Sequence, residues 1–197
     1  MSDIVRSIRW RGTDPMSAGG VEPASGDGEC VEQCVVKIGA TGIAAEGVLI
    51  GGAGADQFGL RYRIVLDAEW AAVRSLHVTK LGGATVALRH DGYGEWTDGE
   101  GKKRADFSKC LDISLGQSQF PFTATVKRLA WKAGKTVELP IIHVSTPSLE
   151  ISRLTVKVTA IEPGRIYRVQ PEGGEPQEIA VDADGFVDRL GATVESV

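Results

Sequence analysis

Apolar and polar positions alternate along most of this chain in short runs broken by glycine-rich turns. This is the period-two signature of half-buried β-strands. The clearest run is 58–67, where Phe58, Leu60, Tyr62, Ile64 and Leu66 share one face and Arg61, Arg63 and Val65 the other. Strands are predicted likewise over 4–10, 30–38, 43–50, 73–81, 84–90, 94–97, 111–115, 137–144, 149–161, 166–170 and 179–181. Gly82-Gly83 suits the tight reversal of a hairpin. In 149–161 the apolar parity changes, with Leu149 and Ile151 on one phase and Leu154, Val156 and Val158 on the other. That predicts a bulge near Arg153. Residues 13–28, rich in Gly, Ser, Pro and Asp, are expected to form a flexible loop.

The stretch from Cys110 to Leu129 breaks the alternation. After Pro121, the residues Phe122, Val126 and Leu129 recur at spacings of four and three, which places them on one face of a helix near 121–131. An apolar helix face needs a sheet to lie against. The pattern therefore predicts a mainly β fold, a long curved antiparallel sheet wrapped around a single α-helix, as one domain over 1–197. The interior of such a roll is the expected place for a ligand.

Composition narrows the function. The chain has 197 residues, of which 42% are hydrophobic and 24% charged, and the 25 glycines against 8 prolines fit many tight reversals. A net charge of −4 without a basic stripe argues against a nucleic-acid partner. No apolar run is long enough to span a bilayer, and the opening residues MSDIVRSIRWRGTD lack a signal core, so a soluble cytoplasmic protein is expected. Cys30 and Cys34 would make only half of a zinc ligand set, and His77, His90 and His143 are scattered. On a strand the two thiols lie about 13 Å apart, too far for a disulfide. No metal and no cofactor is expected. The glycines after Val48-Leu49-Ile50 imitate a dinucleotide loop, but a strand and not a helix follows, so a hairpin connection is the better reading.

No Gly-x-Ser-x-Gly elbow occurs, and no catalytic residues are expected. Asp67, Asp112 and Asp182 each end or interrupt an apolar strand. Ion pairing with Arg61, Arg63, Arg74 or Arg128 is their expected use, since buried charges find partners. Were two of them to face each other in an open cleft, a hydrolase or lyase acting on a sugar conjugate would be the alternative. Trp10, Trp70, Trp96, Trp131, Tyr62, Tyr93 and Tyr167 are each expected to serve the core first, though such residues also line sugar and lipid headgroup sites.

The series Arg61–Arg74 (RYRIVLDAEWAAVR), Gly94-x-Trp96, Cys110–Leu129, Pro147-x-Leu149, Tyr167-Arg168 and Val181–Val187 (VDADGFV) resembles the bacterial family called "Putative glycolipid-binding" over nearly the whole chain. The resemblance implies a spiral β-roll, often a homodimer, and kinship in shape with lipid-carrier folds. It carries Tyr62, Trp70, Arg74, Trp96, Asp112, Phe122, Thr123, Arg128 and Tyr167 over as candidate ligand-binding residues, with Asp67 and Asp182 also matching. Three departures stand out: Ser114 replaces an acid, Ala124 replaces an amide, and one residue is missing before Leu129. The implied function is a non-enzymatic binding protein that holds a glycolipid or other amphipathic small molecule in the cleft between sheet and helix. Against it stands a dimeric structural or interaction module with a filled core.

Overall fold

The computed structural model describes residues 4–12, 29–190 and 194–197. The loop expected over 13–28 lies outside them. Among the described residues, fourteen strands form one sheet. Strands β1 (Ile4–Gly12), β2 (Cys30–Gly39), β3 (Gly42–Gly51), β4 (Phe58–Leu66), β5 (Val73–Lys80), β6 (Thr85–His90) and β7 (Trp96–Asp98) pair antiparallel with their neighbours in sequence. The chain then returns to the far edge as β8 (Asp112–Leu115), passes through the helix α1 (Phe120–Arg128), and enters β9 (Thr136–Val144). From there β10 (Ile151–Glu162), β11 (Ile166–Pro171), β12 (Gln177–Val181), β13 (Val187–Leu190) and β14 (Val194–Ser196) run back until β14 pairs with β1.

Alternation drives this arrangement as expected. Phe58, Leu60, Tyr62, Ile64 and Leu66 all face inward and are buried, while Arg61 and Arg63 are exposed. Three expectations need correction. The sheet is not wholly antiparallel, because β8 pairs parallel with β9; two neighbouring strands joined by a helical crossover run in the same direction. The β9–β10 register is unbroken from Ile151 to Thr159, and the irregularity falls at Ala160–Glu162, against β11. Leu149 caused the misreading: it is buried from a turn before β10, at φ 62°, so its parity says nothing about the strand. The helix also ends three residues early. Leu129 is extended, and the Trp131 indole N–H donates to the Val126 carbonyl at 2.8 Å, occupying one of the last free acceptors of the helix.

The helix is buried on every side from Phe120 to Val126, not on one face. Burying Phe120, Phe122 and Val126 contributes about 1.5–3 kcal/mol each. The polar side chains among them are satisfied: the Thr123 hydroxyl accepts the Val187 N–H at 3.1 Å, and the Thr125 hydroxyl donates to Asp112 at 3.2 Å. Two bonds stitch the curled sheet onto the segment before β8. Val73 N–H donates to the Leu111 carbonyl at 3.0 Å, and the Trp96 indole donates to the Cys110 carbonyl at 2.9 Å.

Candidate functional site

The inner face of β2 carries Cys30, Glu32, Cys34 and Val36, all buried. Glu32 is 1% exposed. Its Oε1 accepts the Tyr62 hydroxyl at 2.5 Å and the Ser118 hydroxyl at 2.6 Å, and its Oε2 accepts the Gln119 N–H at 2.7 Å. The Phe120 N–H is a fourth donor. The carboxylate thus sits on the amino end of α1, where free N–H groups favour negative charge. Tyr62 reaches it from β4 by crossing β3 above Gly47; a Cβ at Gly47 would lie 2.3 Å from the Tyr62 ring. Burial pushes the Glu32 pKa above the ordinary carboxylate range, against the four donors that pull it down. Burial, and then the Glu32 charge, pushes the Cys30 thiol up to about 12, and Cys34 is raised by the same causes. Both thiols are therefore protonated and unreactive.

The nine residues carried over from the resemblance do not converge on one point. Tyr62 belongs to the Glu32 network. Asp112 and Arg128 form a buried ion pair, with side chains 4% and 13% exposed. Thr123 and Phe122 are buried in α1, and Trp96 lies under the Cys110 carbonyl, stacked on His90 with ring centroids 4.9 Å apart. The Tyr167 hydroxyl accepts the Gly164 N–H at 2.8 Å, and its ring meets the edge of Trp131 at 5.3 Å. Arg74 donates to the Asp91 carbonyl at 3.0 Å.

Trp70 stands apart. Its φ of 61° lies in the left-handed region, rare for a bulky residue. The Asp67 carboxylate imposes this conformation by accepting the N–H groups of Glu69, Ala71 and Ala72 at 3.2, 2.7 and 2.9 Å. The Trp70 ring then meets Phe120 at 6.4 Å and Phe186 at 6.1 Å. The Lys127 ammonium lies 5.1 Å from the Trp70 ring and 4.7 Å from that of Phe186, and it donates to the Asp184 carbonyl. Arg6 pairs with Asp182 and Asp184. This cluster straps β1, two turns and α1 together.

All three carboxylates that might have formed an acid–base pair are therefore committed. Asp67 caps its turn, Asp112 holds Arg128 and Thr125, and Asp182 holds Arg6 and the N–H groups of Asp184 and Phe186. Two of the expected ion pairs are redrawn: the partner of Asp182 is Arg6, and Asp67 makes no ion pair among the described residues. The hydrolase arrangement, two facing carboxylates in an open cleft, is not what these three residues form.

An open cleft lies elsewhere. A cavity of about 590 Å³ sits where β3 turns into β4, lined by Glu29, Ile50, Gly51, Gly52, Gln57, Phe58, Gly59, Lys80 and Leu81. Ile50 is 58% and Leu81 71% exposed, and the two belong to one strip. Ile50 pairs with Gly59, and Leu81 lies over Gly59, its Cδ1 2.7 Å from where a Cβ there would be. Gly51 forms the inner wall, with buried Gln117 directly behind it. Two smaller hollows, of about 350 and 260 Å³, are lined mostly by charged and polar side chains. Sequence reading missed Glu32 and this cleft. Glu32 was legible as the one acid on the inward parity of β2; the cleft was not, because its strip forms only when β3, β4 and the end of β5 are in register.

No helix among the described residues is long and apolar enough to cross a membrane. No curated protein matches the sequence. The fold is similar to the crystal structure of a DUF1089 family protein from Pseudomonas aeruginosa, at 25% identity and a TM-score of 0.70, covering 82% of this chain and 89% of that one. The family described as "Putative glycolipid-binding" matches residues 24–195, which hold α1 and strands β2 to β13 whole, and the protein belongs to that family.

Proposed function

We propose that this protein binds an amphipathic small molecule without transforming it, and that the apolar part of the ligand lies in the cleft over Ile50, Phe58 and Leu81. The observation that carries this reading is the coincidence of a ligand-sized hollow, about 590 Å³, with two large aliphatic side chains left in solvent at its mouth. The family description supports a binding role. The space between sheet and helix is a poorer place for the ligand, because Phe120 to Val126 are buried and a ligand there would have to lift α1.

Native mass spectrometry and titration with a panel of glycolipids and single-chain amphiphiles test the proposal. Leu81→Asp and Ile50→Asp place a charge in the apolar strip at exposed positions, where the fold tolerates it. Binding by the wild type that either variant abolishes supports the assignment. Binding unchanged in both variants removes the cleft as the site, and no binding across the panel removes the function.

A further inference from the structure

The chemistry of the cleft says more about its occupant than that it is amphipathic. Two charged side chains line it, Glu29 and Lys80. Glu29 is already neutralised, since Arg11 pairs with it. Lys80 makes no ion pair among the described residues; its backbone bonds Ala84 and Gly83. It stands beside Leu60 in the β4–β5 register, half-buried, at the end of β5 where that strand borders the cleft. Its three N–H donors are available to a ligand, and an anionic acceptor beside apolar walls gains a charge-assisted bond that a neutral hydroxyl does not.

We infer that the cleft takes a single-chain amphiphile with an anionic head, a carboxylate or a phosphate, whose charge is met by Lys80 while Ile50, Phe58 and Leu81 hold the chain. This rests on the proposed function and sharpens it. It also separates this site from one built for a neutral sugar head, which would need paired donors and acceptors and no lone cation.

The test uses the full chain and three probes with the same tail: dodecanoate, dodecyl phosphate and dodecyl glucoside, each titrated below its micelle concentration and followed by calorimetry. At least one anionic probe is expected to bind about tenfold or more tighter than the glucoside, as one charge-assisted contact provides. Lys80→Gln should bring that probe down to the glucoside level and leave the glucoside unchanged, and Lys80→Arg should keep most of the preference. Circular dichroism confirms that the variants are folded. Whichever anionic probe loses more in Lys80→Gln identifies the head, and either outcome supports the inference. Equal or tighter binding of the glucoside overturns the anionic inference while leaving amphiphile binding intact; binding of none of the three overturns both. Sedimentation that shows Leu81→Asp turning a dimer into a monomer makes a second copy the occupant and also overturns it.

Discussion

Removing the Glu32 carboxylate should cost far more than removing its charge. In Glu32→Ala the Gln119 and Phe120 N–H groups lose their acceptor inside the protein and cannot rotate to another. Each buried donor left unpaired costs about 1–3 kcal/mol. The Tyr62 and Ser118 hydroxyls also lose their acceptor, although they can turn. The sum is about 3–6 kcal/mol, a large part of the roughly 5–15 kcal/mol that keeps a domain folded. Glu32→Gln keeps the shape. Its amide oxygen can take the two backbone N–H groups, and its amide nitrogen can donate to the two hydroxyls, which accept as readily as they donate. The loss is then about 1 kcal/mol, the difference between charge-assisted and neutral bonds less the relief of an ion buried without a cation.

The pH dependence carries its own sign. The folded pKa of Glu32 lies above the unfolded value near 4.5, so the folded state holds a proton that the unfolded chain has released. Its contribution is fully present below the unfolded pKa and is lost as pH rises through the folded one. The penalty of Glu32→Gln should therefore be larger at pH 4.5 than at pH 7.5. Urea unfolding of the three proteins at both pH values measures all of this. A Glu32→Ala variant within about 0.5 kcal/mol of the wild type, or one no worse than Glu32→Gln, would refute the reasoning.

Three further outcomes are expected. Gly47→Ala should destabilise by about 1–3 kcal/mol, because its methyl group would stand 2.3 Å from the Tyr62 ring and must displace it from Glu32; an unchanged urea midpoint would show that the ring does not lie there. Arg128→Leu should cost about 3–5 kcal/mol by leaving Asp112 charged and buried, while Arg128→Leu with Asp112→Leu should recover most of it, so a double variant as unstable as the single one counts against the pair. His90 and His143 are both held below the ordinary imidazole pKa by burial, so the unfolded chain takes up protons first as pH falls below about 6.5 and the fold loses stability there. The fall between pH 7.5 and 5.5 should shrink in a variant carrying His90→Gln and His143→Gln, and a flat wild-type profile would contradict it.

What could be read from the chain was what depends on local period. The alternation in β4 placed five side chains correctly because one strand defines its own two faces. The helix was found from two spacings, but its end was not, since that end is set by Trp131 folding back onto Val126. The parallel β8–β9 pair was illegible. Asp-Ile-Ser-Leu is buried on both faces and so has no alternation to read, and its partner lies beyond a crossover. The partner of Asp182 was missed for a related reason: Arg6 is 176 residues away, and only the closure of the sheet through β14 and β1 brings them together.

The departures of this chain from its family pattern acquire a physical meaning from these contacts. Ser114, which stands in place of an acid, bonds His143 at 3.1 Å across the β8–β9 pair, where a second buried carboxylate would sit close to Asp112 on the same face. Ala124, which stands in place of an amide, is 3% exposed inside a helix whose other polar groups are satisfied. Both changes fall in the buried region of β8 and α1; one exchanges a carboxylate for a hydroxyl that His143 satisfies, and the other removes an amide that would need a buried partner. They leave the residues that line the cleft at the β3–β4 turn untouched. Differences in ligand among relatives should then follow the residues at positions 50, 58, 80 and 81 and not those around the helix. Exchanging Lys80 and Leu81 alone between relatives should transfer head and tail preference, whereas exchanging Ser114 and Ala124 should move the unfolding midpoint and leave binding where it was.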